Sequence, residues 1–261
     1  MSNPWQGAPG LALVPDPVGD DAAAELDRGI GLLREVAAGD RPPTLRLYRP
    51  SPTVAFGQRD ARLPGFGDAA AAVARHGFAP LVRRAGGRAA AYHRGCLVVD
   101  HIEPAPDAVA GTRARFAAFG QFFAGVLADV GLDAHVGEVP GEYCPGEFSV
   151  HGRRGGVPVI KLVGTAQRVV AGAWLFSSVI VVEDAAPLRA VLTDAYAALG
   201  LPWLPSTAGA AEDLAPGVTV DAVEHALLAT YAGVVSLDAP ASDTRPSGAP
   251  APASPSASGR S

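Results

Sequence analysis

Along this chain apolar side chains recur at helical spacing in some stretches and crowd into short β-branched runs in others. The run DDAAAELDRGIGLLREVAAG reads as a helix that Asp20 can cap and Gly39 stops. TLRLYRPSPTVAFGQ is β-branched and aromatic but interrupted by Pro50 and Pro52, which predicts two short strands around a turn. A helix follows at DAAAAVARHG, then strands at FAPLVRR and GCLVVDHI joined by the glycine-bearing AGGRAAAYHR. From Arg113 to Asp129, the residues Phe116, Phe119, Phe123, Val126 and Leu127 make one apolar helical stripe, the pattern of a core face. The next region is strand-rich, with DAHV, EFSVHG, VPVIKLVG and AWLFSSVIVVED, and RRGG reads as a hairpin turn. Helices from Pro187 to Leu199 and from Val220 to Tyr231 complete the pattern. Strands paired through short turns rather than helical crossovers predict an α+β domain with a mixed, largely antiparallel sheet and flanking helices. Residues 1–18 are Pro/Gly-rich and are expected to be flexible, 19–237 to form one catalytic-size domain, and the Pro/Ala/Ser-rich 238–261 to be a disordered tail.

Composition narrows the function classes. With 48% hydrophobic residues, 261 residues suffice for one sizeable core. A formal net charge of -5 lacks the basic footprint of a nucleic-acid binder. No apolar run approaches the roughly 20 residues that cross a bilayer, and no basic segment followed by an apolar one opens the chain, so a cytoplasmic protein that does not enter a membrane is expected. Two cysteines are too few for a disulfide framework, and neither they nor the histidines stand at metal-ligand spacing. His93 and His151 are the two histidines close to the motifs described next.

Of 21 basic residues, Lys161 is the one lysine. Arginine replaces lysine freely at a solvated surface but not where a compact ammonium is required, which singles Lys161 out. It lies in IKLVGTAQRV, where Gly164, Thr165 and Ala166 read as a small-residue turn able to admit a ligand beside the ammonium. A second segment, VRRAGGRAAAYHRG, sets paired glycines among Arg83, Arg84 and Arg88, so that backbone N–H groups can approach a carboxylate, thioester or phosphate. It has neither phosphate-loop nor dinucleotide spacing. In the third, GEYCPGEFSV, Cys144 sits on a tight turn, a setting that can expose a reactive thiol, whereas Cys96 in CLVVD reads as a buried small hydrophobe.

Taken in order, LYRPSPTVAFGQ, RRAGGRAAAYHRG and KLVGTAQRV resemble the catalytic domain shared by lipoate-protein ligases and lipoyl or octanoyl transferases, itself related to biotin-protein ligases. YCPGEFSV is similar to the branch that passes an octanoyl or lipoyl group between carriers through a cysteine thioester. Ligases have a third glycine where Arg88 stands, and the transferase branch matches the spacing better. The resemblance implies the same α+β class and an acyl tunnel near the Gly-Gly loop. It places Arg84, Gly86, Gly87, Arg88 and Ala89 on the acyl- or nucleotide-binding loop, and Gly164, Thr165 and Ala166 on a second substrate turn. Cys144 is then the nucleophile. Lys161 matches the family lysine, which binds the carboxylate and acyl-adenylate in ligases and favours the cysteine thiolate in transferases. A transferase needs no cofactor because its incoming acyl group is already linked to a carrier; a ligase requires ATP and Mg²⁺. The implied partners are an acyl-donor carrier and lipoyl-carrier domains such as the glycine cleavage H protein or dehydrogenase E2 subunits. The Cys-Pro-Gly segment and the lack of the accessory C-terminal domain common in ligases put the transferase first, ahead of an ATP-dependent ligase and of a non-catalytic acyl- or carrier-binding module.

Overall fold

The computed structural model describes residues 10–15, 19 and 21–238. Its strands form two sheets. The larger has eight, in the order β11 (Ser236–Asp238), β1 (Gly10–Pro15), β2 (Thr44–Tyr48), β6 (Cys96–Pro104), β10 (Ala173–Val181), β9 (Val157–Val170), β8 (Val150–Arg154) and β7 (Asp133–Val136). β1 runs parallel to both neighbours and every other pairing in this sheet is antiparallel. The smaller sheet has the order β4 (Ala79–Val82), β3 (Thr53–Phe56), β5 (Ala90–Tyr92). This is the expected α+β class with a mixed, largely antiparallel sheet.

Helices cover both sheets. α3 (Thr112–Asp129) and α6 (Val220–Ala232) pack on one face of the large sheet, where Phe119 stacks on Phe176 with ring centroids 4.2 Å apart. Burying such rings contributes roughly 2–3 kcal/mol each, so this cluster is the main hydrophobic core. α1 (Ala22–Ala38) covers the other face through Leu32, Leu33 and Val36 against Ile102 and Leu175. α2 (Phe66–Arg75) and α4 (Ala185–Leu199) pack on the small sheet and form a second cluster that includes Phe56, Cys96, Tyr143 and Tyr196. A four-residue helix, α5 (Ala211–Leu214), sits between α4 and α6. No helix among the described residues is long and apolar enough to cross a membrane.

Several expectations are corrected. Residues 10–15, placed in a flexible N-terminal segment, form β1, because their apolar alternation pairs with β2 and buries Leu11 completely. Asp20 lies outside the described residues; Asp21 caps α1, its carboxylate accepting from the N–H groups of Ala23 and Ala24 at 3.0 Å. The two strands around Pro50 and Pro52 belong to different sheets, so that segment is a crossing point. The glycine-bearing 85–94 segment contains β5. Gly164, Thr165 and Ala166 are not a turn: β9 runs on through them to Val170, paired with Val179, Ser178 and Ser177 of β10. Their β-branched neighbours and a complete antiparallel partner keep the strand going past the glycine. Apart from Asp238, which ends β11, the expected tail lies outside the described residues.

Candidate active site

A cavity of about 740 Å³ opens between the large sheet, α1 and the Gly-Gly loop. Its walls are mostly apolar, with Leu26 and Ile30 from α1, Tyr48 from β2, Val98 from β6, and Leu175 and Val179 from β10. A buried ion pair, Arg46 Nη1 to Asp100 Oδ2 at 2.9 Å, borders this region, and the Arg46 guanidinium stacks 3.8 Å from the Tyr48 ring centroid. Burial, reinforced by the Asp100 carboxylate, holds the Tyr48 hydroxyl well above the usual tyrosine range, so it stays protonated. Such a lining suits an apolar ligand.

Cys144 and Lys161 both line the cavity. Cys144 occupies the left-handed region at φ 44, a conformation that costs a non-glycine residue on the order of 1 kcal/mol or more. Both of its peptide groups are tied down. Its N–H donates to Tyr196 Oη at 2.8 Å, and Tyr196 donates in turn to the Ala89 carbonyl at 2.9 Å. Its carbonyl accepts from Lys161 Nζ at 2.8 Å, and the Tyr143 carbonyl accepts from the same ammonium at 3.1 Å. Burial pushes the hydroxyls of Tyr143 and Tyr196 up, so both stay neutral, and that of Tyr196 is the anchor.

Lys161 projects from β9 and is 2% exposed. Its ammonium pairs with the equally buried Glu142, 3.0 Å from Oε2. The other oxygen of Glu142 accepts from Gly146 N at 3.1 Å and Ser149 Oγ at 3.0 Å, which fastens the whole Cys-Pro-Gly turn around one carboxylate. Among the described residues no hydrogen bond joins Lys161 to the sulfur. Cys144 Sγ instead accepts from Arg88 N at 3.2 Å and Arg83 Nη2 at 3.5 Å.

The Gly-Gly loop explains those contacts. Gly87 has φ +102, and a Cβ there would lie 2.4 Å from Arg83 Nη2 and 2.9 Å from Cys144 Sγ. Only glycine lets the loop, the guanidinium and the sulfur meet. A second close approach holds the loop from below, since a Cβ on Gly57 would fall 1.9 Å from the Gly87 carbonyl oxygen. Buried Asp60 accepts from Gly57 N and from Arg88 Nη1, both at 2.9 Å.

The expected site residues therefore divide. Cys144, Lys161, Arg84, Gly86, Gly87, Gly164, Thr165 and Ala166 all border the cavity. Arg88 contributes its backbone N–H and turns its side chain to Asp60. Ala89 is fully buried and contributes only the carbonyl that anchors Tyr196. His93 is structural: its Nδ1 accepts from Gly95 N and its Nε2 donates to the Asp184 carbonyl, pinning the turn into β6. His151 reaches the Gly137 carbonyl. Sequence reasoning missed Glu142, Tyr196 and Asp60. Glu142 stands two residues before the cysteine, but nothing in a solvent-compatible carboxylate announces that it will be buried; Tyr196 and Asp60 come from distant segments.

Comparisons with known proteins bear on the family and the fold. The sequence profile of the Lipoyl protein ligase A/B catalytic domain matches residues 21–232. The chain is 28% identical over 171 residues to an octanoyl-[GcvH]:protein N-octanoyltransferase of Geobacillus kaustophilus, a match covering 65% of this chain and 58% of that protein. It is 32% identical over 152 residues to the enzyme of the same name from Exiguobacterium sibiricum, covering 56% and 52%. The chain thus spans little more than half the length of these curated relatives. Among solved structures, a lipoate-protein ligase A bound with ATP superposes with a TM-score of 0.62 at 19% identity, covering 90% of each chain. A bi-partite lipoate protein ligase from Thermoplasma acidophilum, studied with its E2 lipoyl domain, gives 0.61 at 19% identity, covering 90% of this chain and 89% of that one. At these identities the structural likeness concerns the fold.

Proposed function

This chain belongs to the lipoyl protein ligase A/B catalytic domain family, and we propose that it is an acyltransferase that carries an octanoyl or lipoyl group as a thioester on Cys144 to a lysine of a lipoyl-carrier domain. The observation that carries this reading is the Cys144 sulfur, set on an apolar cavity and receiving two N–H donors. In the first half-reaction the thiolate attacks the acyl carbonyl of the donor; an S–C bond forms, the C–N bond to the donor lysine breaks, and the thiol proton leaves with the released amine. In the second, a neutral acceptor lysine attacks the thioester, an amide forms, and the sulfur departs and regains a proton. Lys161 holds the carbonyls of Tyr143 and Cys144, and so fixes the sulfur during both steps.

The donor and acceptor follow from the relatives, whose name specifies an octanoyl-[GcvH] donor, and from the archaeal ligase studied with its E2 lipoyl domain. Carriers of the glycine cleavage H protein and dehydrogenase E2 type are accordingly the partners we assign, in the cytoplasm. Such a reaction conserves the acyl bond energy and uses no nucleotide. An ATP-dependent ligase would call for loop amides open to phosphate, and here the Arg88 N–H is turned to Cys144 Sγ. That arrangement fits a thiolate better than it fits ATP with Mg²⁺.

Intact-protein mass spectrometry after mixing with octanoylated H protein tests the assignment. One octanoyl group is expected on Cys144 without ATP, and Cys144→Ala is expected to show neither adduct nor transfer. ATP-dependent lipoylation by Cys144→Ala would replace this reading with the ligase, and carrier binding with no transfer under either condition would replace it with a binding module.

A further inference from the structure

Three cations approach Cys144, and their partners decide which of them acts on the sulfur. The Lys161 ammonium is neutralised by Glu142 at 3.0 Å and spends its hydrogen bonds on two carbonyls. The Arg88 guanidinium is neutralised by buried Asp60 at 2.9 Å. Arg83 has no carboxylate within ion-pair distance among the described residues, and its buried Nε has no hydrogen-bond partner there. Yet its Nη2 lies 3.5 Å from Cys144 Sγ, held in place by donating to the Arg88 carbonyl at 2.7 Å. A positive charge paired to a carboxylate exerts little net field on a third group, whereas an uncompensated guanidinium in a partly buried wall exerts most of its own.

We propose that Arg83 is a further catalytic residue of this site: with the Arg88 N–H, its guanidinium holds the Cys144 thiolate, in addition to what Lys161 does from the carbonyl side of the same turn. The inference rests on Cys144 being the nucleophile. It places a cation in contact with the reacting atom, and it gives Gly87 a reason, since any side chain there would displace Arg83 Nη2. The two tyrosines beside the sulfur, Tyr143 and Tyr196, are kept protonated by burial and add no opposing charge. When the sulfur leaves in the second half-reaction, the same guanidinium receives the returning negative charge.

The test uses the whole protein and needs no carrier. Iodoacetamide alkylation of Cys144 is followed by peptide mass spectrometry in wild type, Arg83→Gln and Arg83→Lys, with circular dichroism to confirm folding. At pH 7, Arg83→Gln is expected to react at least about tenfold more slowly, one unit of proton affinity corresponding to a factor of ten in thiolate. Arg83→Lys, which keeps the charge on a partly exposed stem, is expected to recover part of the rate. Near pH 9.5, roughly one unit above the free thiol value of about 8.5, the variants are expected to approach wild type, because the thiolate then forms unaided. Alkylation of Arg83→Gln within about twofold of wild type at pH 7 would overturn the proposal, as would an equal loss at both pH values, which denotes a distorted turn. Failure of wild-type Cys144 to take up an octanoyl group would count against the proposed function, and the alkylation contrast distinguishes the two.

Discussion

Cys96 and Cys144 border the same apolar cluster beneath the small sheet, yet they are opposite kinds of thiol. Cys96 begins β6, is fully buried and sits in ordinary strand geometry; burial pushes its thiol up to about 12, offset only slightly by the backbone of His93. Cys144 lies in a loop, partly open to the cavity, in a left-handed conformation, its N–H and carbonyl held by Tyr196 and Lys161. Its sulfur receives two N–H donors, whereas Cys96 packs in the apolar cluster beside the His93 backbone. Reactivity here is therefore set by backbone geometry and polar neighbours rather than by residue type. A cysteine on a strand spends its conformational freedom on packing; a cysteine held off a strand by a buried ion pair and a tyrosine has its sulfur free for chemistry.

The largest consequence is selectivity. A thiol pushed up to about 12 is ionised to roughly one part in ten thousand at pH 8, and Cys96 has no surface to offer a reagent. Iodoacetamide at that pH is expected to modify Cys144 at least about a thousandfold faster than Cys96, as read by peptide mass spectrometry. Comparable rates at the two sites in folded protein would erase the contrast.

Next comes the buried pair that holds Cys144 in place. Lys161→Met leaves the Glu142 carboxylate uncompensated where it is 2% exposed, which costs about 3–5 kcal/mol and frees the carbonyls of Tyr143 and Cys144. Acyl transfer is expected to fall by about a hundredfold, the order of loss when a reacting group is misplaced by about 1 Å. Lys161→Arg keeps the charge but puts a planar fork where a compact ammonium meets Glu142 and two carbonyls, so most activity should be lost here too. Urea denaturation and transfer assays on both variants check this, and unchanged transfer in Lys161→Met would show that the turn holds itself.

Gly87→Ala probes the same contrast from the loop side. Its Cβ would fall 2.4 Å from Arg83 Nη2 and 2.9 Å from Cys144 Sγ at a positive φ, so a loss of about 1–2 kcal/mol in stability is expected. The guanidinium moves off the sulfur, and alkylation at pH 7 should slow as in Arg83→Gln. Wild-type alkylation in Gly87→Ala would mean that the close approach has no chemical consequence.

Much of this was legible in the sequence because it is local. The helical stripe from Phe116 to Leu127, the strand DAHV and the spans of the last two helices depend on neighbours within a turn or a strand pair. The lone lysine and the Tyr-Cys-Pro-Gly turn identified the two residues that share one cavity. What stayed hidden is non-local. β1 lies in a Pro/Gly-rich stretch that gives no local reason to order, and β2 and β11 supply its hydrogen bonds. Gly164 read as a turn because small residues in a row mimic one, and only the partner strand shows that β9 continues. That Lys161 and Arg88 are each paired depends on carboxylates that chain folding brings to them, Glu142 from the cysteine loop and Asp60 from the turn before α2.

The smallest expected effect completes the contrast from the inert side. Cys96→Ala removes one sulfur from a packed, fully buried site, and a single buried heavy atom with its void is worth on the order of 1 kcal/mol. The melting temperature should fall by a few degrees, about 2–4 °C for a domain of this size. Cys96→Ser keeps the volume but buries a hydroxyl among Phe78, Val181 and their neighbours, and burying it there costs about 1–3 kcal/mol. Serine should therefore be at least as destabilising as alanine, an order that surface cysteines do not show. Acyl transfer measured below the melting transition should stay within about twofold of wild type in both, since Cys96 does not line the cavity. A larger loss of transfer in Cys96→Ala, with stability unchanged, would mean that the buried thiol communicates with the sulfur at the cavity after all, and the division of labour between the two cysteines would have to be redrawn.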